Sequence, residues 1–290
     1  MPVLASGLPA MGSSQRRRTS MATPPTPPSG VVVAAHDRYR AVLACLVAAN
    51  VPILIGGGYA YGCYTGIDRV TNDLDLFIRR DDYERLRRAL LAAGYRSELT
   101  YSHWLAKVRL GGPVVDIIFS SGNGLSPVDD EWFEHAVDAE VLGLPVAITP
   151  VEEMIASKAF VMERERFDGG DIAHLVRYQA ATMDWQRLLR RFGPHWRVLL
   201  AHLTLFGYVY PAERNRIPAW VLDTLIGHLQ LEAQTVPPDT RVCAGTLLSR
   251  QQYLDDIRRC DGIDARLPPH GHMSPAEIGR WTDAIGAVDS

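Results

Sequence analysis

The apolar run Ile53-Leu54-Ile55 stops abruptly at Gly56-Gly57-Gly58, and the chain then alternates strictly through Asp73-Leu74-Asp75-Leu76. Successive side chains of a strand point to opposite faces. Leu74 and Leu76 therefore enter a core, while Asp73 and Asp75 stand side by side on the other face. A third carboxylate, Asp116, sits between Val115 and Ile117 in another apolar run and is predicted to point to that same face. The fold must therefore bury one face of a sheet and carry three acids on the other. Acids so close together repel unless something positive lies among them.

The periodicities around this frame predict an α+β chain. The apolar positions Tyr39, Val42, Leu43 and Leu46 predict an opening helix over 36–50. Strands are expected over 51–55 and 72–78, with a short helix between them ending at Gly66. An amphipathic helix is expected over 81–93. A hairpin should join 104–110 to 114–119 through Gly111-Gly112-Pro113, and a further extended segment spans 139–148, broken at Gly143. The result is a small mixed β-sheet with flanking helices. Thr149-Pro150-Val151-Glu152 combines a capping threonine, a proline at the first helical position and a glutamate three residues after the cap, a helix-start signature. Only helical patterns follow, to about residue 260. The expected division is a disordered leader over 1–35, a sheet domain over 36–149, an all-helical C-terminal domain over 150–262 and a loosely packed tail over 263–290.

Composition narrows the function classes. A content of 47% hydrophobic and 22% charged residues supports a sizeable core. A net charge of −3 does not advertise a nucleic-acid binder. Cys45, Cys63, Cys243 and Cys260 are scattered without zinc-ligand spacing. No apolar run reaches the roughly 18 residues of a membrane span. Arg16-Arg17-Arg18 is followed by Thr23-Pro24-Pro25 rather than by the apolar stretch of an export signal. A cytoplasmic protein is expected.

Three converging carboxylates are hard oxygen ligands suited to Mg²⁺ or Mn²⁺. Two such ions about 3.5–4 Å apart can stabilise the attacking and leaving oxygens of a phosphoryl displacement. At a glycine turn opening a helix, backbone N–H groups of Gly57 and Gly58 can approach a triphosphate. A dinucleotide-binding reading of Gly56-x-Gly58 fails. Its third glycine, Gly62, comes one position late, and Asp75 precedes Leu76-Phe77-Ile78 where the ribose-binding acid should end a strand. No Gly-Lys-Ser/Thr follows the turn, which excludes a Walker A loop.

The same residues resemble the DNA polymerase β-like nucleotidyltransferase superfamily, in which a Gly-Gly or Gly-Ser turn precedes Asp-x-Asp/Glu and a third carboxylate lies on a later strand. Gly57-Gly58-Tyr59-Ala60, Gly66, Arg69, Thr71 and Asp73-Leu74-Asp75-Leu76 are closest in pattern to the toxin-type nucleotidyltransferases of abortive-infection systems. Lys158, Arg164 or Arg166, and Asp168 with Asp171 match a helical element of that group. Phe167 stands where the group has arginine before the first aspartate. The likeness covers about residues 51–178. It implies transfer of a nucleoside monophosphate from ATP or another NTP to an acceptor hydroxyl, with release of pyrophosphate. Asp73, Asp75 and Asp116 would be the catalytic carboxylates and would hold two ions, Mg²⁺ or Mn²⁺. Gly57, Gly58 and Lys158 would bind nucleotide, while Arg69 and Thr71 would contact phosphate or simply shape the turn. The acceptor would be a tRNA, a protein or a small molecule, and the toxin-type likeness brings with it an antitoxin partner. Two alternatives stand beside this reading: an inert nucleotide-binding regulatory module, and an antibiotic-modifying nucleotidyltransferase. The arginine-rich stretch over 79–96 reads as a solvated face, and His270-Gly271-His272 as an exposed tail rather than a metal site.

Overall fold

The computed structural model describes residues 30–69 and 71–284. The expected leader lies outside the described residues except at its end, because the first helix, α1, already begins at Gly30 and runs to Ala48. The short strand β1 (Leu54–Ile55) follows, then α2 (Gly57–Thr65), β2 (Asp73–Phe77), α3 (Tyr83–Ala92), β3 (Ser97–Tyr101), β4 (Leu105–Arg109) and β5 (Val114–Ile118). The short helix α4 (Asp130–Glu134) leads into the hairpin β6 (Val137–Val141) and β7 (Leu144–Ile148). These seven strands form one sheet in the order β3-β4-β5-β2-β1-β7-β6. It is mixed: β2 runs parallel to β5 and antiparallel to β1, while β1 runs parallel to β7. Two elements escape the periodicity reading. β3 is an edge strand whose Ser-Glu-Leu-Thr-Tyr lacks a buried apolar face, and α4 is little more than one turn.

Leu74, Leu76, Val115 and Ile117 are fully buried and share one core with Tyr39, Val42, Leu43 and Leu46 of α1 and Leu86 and Leu90 of α3. Each fully buried leucine or valine contributes about 1.5–3 kcal/mol, so the covered face holds the register that presents the acids on the other side.

Beyond the sheet the chain is helical: α5 (Val151–Ala159), α6 (Gly169–Gln179), α7 (Trp185–Phe192), α8 (Trp196–Val209) and α9 (Ala219–Ala233). The architecture is the expected α+β sheet followed by a helical C-terminal region. The start of α5 differs from expectation in detail. Pro150 is the residue before the helix, and the Thr149 hydroxyl has no partner among the described residues. Glu152 is turned to another use: it is buried, accepts from the Asp184 N–H at 2.6 Å and pairs with the Arg187 guanidinium.

The expectation of a loose tail is corrected. The two-residue strands β8 (Val242–Cys243) and β9 (Ile263–Asp264) pair, α10 (Leu254–Arg259) lies between them, and α11 (Pro275–Asp283) closes the described chain. Arg266 is 1% exposed and donates to Asp264 at 2.7 Å, Met273 is equally buried, and Ser274 and Glu277 form a capping box on α11. Polar composition suggested looseness, but these polar groups are satisfied by one another, which is what burial requires.

Candidate active site

Asp75 and Asp116 face each other directly in the β2–β5 register, and Asp73 lies one same-face step before Asp75. Ligand oxygens of all three lie within 4.8 Å of one another. This is the convergence expected from the alternation. Thr71 fixes the first acid, donating to Asp73 Oδ1 at 2.6 Å. Gly57, at φ +52°, brings the start of α2 against the group: a Cβ there would collide with the Asp75 carboxylate. Only a residue without a side chain fits, both for its left-handed backbone and for that approach.

Burial pushes Asp75 up to about 7, repulsion from Asp73 and Asp116 adds to the rise, and Lys158 and Arg166 oppose it. Asp116 is also raised by burial, against the hydrogen bonds of Lys107. Three carboxylates so placed repel one another, and their oxygen donors fit a hard divalent ion.

The Lys107 partnership was not anticipated from the sequence. Lys107 lies opposite Asp116 in the β4–β5 ladder and donates to both of its carboxylate oxygens, at 2.9 and 3.2 Å. The signal was present: one lysine inside Leu105-Ala106-Lys107-Val108, on the strand joined to Asp116 by the Gly111-Gly112-Pro113 turn.

A second cluster faces the acids across the cleft. Lys158 of α5 donates to Asp168 at 3.0 Å and Asp171 at 2.8 Å. Arg166 grips Asp168 with two bonds, at 2.9 and 3.0 Å, and Arg69 pairs with Asp171 at 2.6 Å. Burial alone would raise Asp168 and Asp171; Arg166 and Lys158 hold the first below the usual range, Lys158 and Arg69 the second. Phe167, where arginine was expected, leaves this work to Arg166. The Arg69 guanidinium also lies 4.2 Å over the Tyr61 ring, whose hydroxyl meets His174 Nδ1 at 2.6 Å. Both clusters line one cleft of about 790 Å³, together with Gly57, Gly58 and Thr71. Asp73, Asp75, Asp116, Gly57, Gly58, Arg69, Thr71 and Lys158 thus line one cleft, whereas Arg164 is exposed and lies outside its lining. His270 and His272 take no part in a metal-ligand cluster among the described residues.

Several solved structures are similar to this chain at low identity. The antibiotic-resistance factor ANT(2'')-Ia is 19% identical, the match covering 59% of this chain and 97% of that one, with a TM-score of 0.42. The lincosamide antibiotic adenylyltransferase LnuA, in its lincomycin-bound structure, is 15% identical over 48% of this chain and 94% of its own, with a TM-score of 0.35. JHP933 from Helicobacter pylori is 16% identical over 71% and 95%, with a TM-score of 0.34. No curated protein matches the sequence significantly. The family model described as "uncharacterised nucleotidyltransferase" matches residues 34–201, which contain the glycine turn, all three carboxylates and the Lys158–Asp171 cluster. The chain belongs to that family, within the polymerase β-like nucleotidyltransferase superfamily.

Proposed function

We propose that this protein transfers a nucleoside monophosphate from an NTP to an acceptor hydroxyl. One observation carries the reading: Asp73, Asp75 and Asp116 converge beside a glycine turn that permits close approach to Asp75. In the reaction the acceptor oxygen forms a bond to the α-phosphorus, the bond from that phosphorus to the β-bridging oxygen breaks, and pyrophosphate leaves. Asp116 is the carboxylate that receives the hydroxyl proton. Asp73, Asp75 and Asp116 would hold two Mg²⁺ or Mn²⁺ ions, which when bound would neutralise charge on the triphosphate and on the attacking and leaving oxygens. Gly57 and Gly58 offer backbone N–H groups to the phosphates, and Thr71 steadies Asp73. Lys158, Arg69 and Arg166 exceed Asp168 and Asp171 by one positive charge, and that surplus faces the triphosphate.

The convergence of Lys158, Arg166, Asp168 and Asp171 favours a second, finer reading: a toxin-type enzyme of the abortive-infection kind, acting on tRNA or protein and held by an antitoxin. The direct test is incubation with each α-labelled NTP, Mg²⁺ and total cell extract. Wild type should label an acceptor and the Asp73→Asn/Asp75→Asn variant should not. Binding of NTP without labelling of any fraction would make the chain a nucleotide-binding module instead.

A further inference from the structure

The sheet face changes character beside the acids. Along β2 and β5 the residues sharing the face of Asp75 and Asp116 are Phe77 and Ile118, which pair directly in the register. Ser120 continues the line. The floor of the cleft therefore turns apolar within one same-face step of Asp116. Trp104 and Trp281 stand beside it, edge to face with ring centroids 4.9 Å apart. Trp281 is brought in by close packing of α11: a Cβ on Gly122 would meet its ring at 2.5 Å. The Trp104 Nε1–H and the Ser120 hydroxyl are buried and have no hydrogen-bond partner among the described residues. Buried polar groups left unpaired are costly, and a ligand group that meets them removes that cost.

A strap also bridges this end of the cleft. Asn123, from the loop after β5, donates to Leu247 O at 2.9 Å, and Met162 N, after α5, donates to Leu248 O at 3.1 Å. Glu163 accepts from Ser249 at 2.6 Å and from Arg250 Nε at 2.8 Å, and Arg250 lies 4.5 Å over the Trp281 ring. Residues 246–250 thus bridge the sheet side of the cleft to its helical side. They lie beyond residues 34–201, the part that matches the family. A threading polymer would have to break the strap. The charge also disfavours one: six carboxylates and four cationic side chains line the cleft, and the cation at this end, Arg250, is already paired. A polynucleotide is held by a surplus of unpaired cations along its phosphates.

We propose that the strapped end beyond Asp116 is the acceptor site, and that it takes a small hydroxylated molecule with an aromatic or apolar face, laid on Phe77 and Ile118 against Trp104 and Trp281. This rests on the nucleotidyl-transfer reading and names its acceptor class. An aromatic wall with a few polar groups is the kind of surface that orients such a ligand.

The test uses the full chain, Mg²⁺, α-labelled NTP and a cell extract divided into low-molecular-mass filtrate, RNA and protein. Label should enter the filtrate fraction. Trp104→Ala and Trp281→Ala should each lower that transfer about tenfold or more while leaving Mg²⁺–NTP binding, by calorimetry, within about twofold of wild type. Trp104→Phe, which keeps a ring and removes the N–H, should lose less, and it serves if the alanine variants melt early. Label in RNA or protein overturns the acceptor class, and filtrate labelling unchanged in folded tryptophan variants overturns the location. Failure to label any fraction despite NTP binding overturns the transfer reading itself.

Discussion

Asp116 shows how much a single residue can carry at this site. It stands opposite Asp75, its proton affinity is raised by burial, and Lys107 clamps both of its oxygens. Its interactions matter most when charge moves in the transition state, so its removal should affect turnover more than binding. Asp116→Asn should bind Mg²⁺–NTP within about threefold of wild type yet transfer about 10²–10³-fold more slowly, a loss of about 3–4 kcal/mol. Calorimetry beside the label assay checks both halves, and wild-type transfer rates would defeat the assignment. Asp73 and Asp75 make a complementary case in stability. Mg²⁺ with NTP should raise the melting temperature of wild type by mass action. Asp73→Asn/Asp75→Asn should lose that rise, yet melt no lower than wild type in chelator, because it removes mutual repulsion. A retained metal-dependent shift would place the ions elsewhere. The triad and Gly57 were legible in the sequence because alternation and a glycine turn are local patterns. Lys107 was not, because its meaning depends on which residue a hairpin register sets across from it.

Elements decide where those residues act. β2 and β5 are parallel neighbours although β3 and β4 separate them in the chain, and this places Asp75 and Asp116 side by side. The segment 246–250 is a second case: the sequence placed it only within the helical region, yet its bonds to Asn123, Met162 and Glu163 make it a wall of the cleft. Glu163 gives this wall a pH dependence. Burial would raise the carboxyl, but hydrogen bonds from Ser249 and Arg250 hold it below its ordinary value. The folded state therefore binds this proton less readily than the unfolded chain. The stabilisation is complete at neutral pH and is lost as the pH falls from the ordinary glutamate range through the depressed folded value. Glu163→Gln should melt lower than wild type at pH 7, and the difference should shrink toward pH 3. Hydrogen exchange should be faster at 246–250 in the variant. An undiminished gap at acid pH would show that Glu163 acts by packing instead.

At the scale of the molecule, one large core spans the described residues, from Tyr39 in α1 through Ile172 in α6 to Ala265 beyond β9, beside a small second cluster of Leu54, Val128 and Trp132. The change from sheet to helices near residue 149 is crossed by this shared core, so calorimetry should show a single transition, with no independent melting of 36–149. Two transitions would overturn this. Charge works within and between the parts: inside the helical region Arg187 and Arg191 of α7 meet buried Glu152 and Glu153 of α5, and Arg191 also reaches the half-exposed Asp129 before α4 at 2.6 Å, on the sheet side. Arg187→Ala leaves the buried Glu152 carboxylate without its ionic partner, while Glu153 keeps Arg191, and should lower unfolding free energy by about 3–5 kcal/mol in a denaturant titration; a loss below about 1 kcal/mol would mean that water replaces the guanidinium. The sequence by itself determined the α+β class, the acid-bearing face and the helical second half, because strand alternation and helical spacing are set by backbone geometry over a few residues. Tertiary structure alone decided the Lys107–Asp116 pair, the diversion of Glu152 from helix capping to Arg187, and the aromatic strapped end of the cleft. Those depend on contacts between residues distant in the chain, whose partners are chosen by sheet order and burial rather than by local pattern.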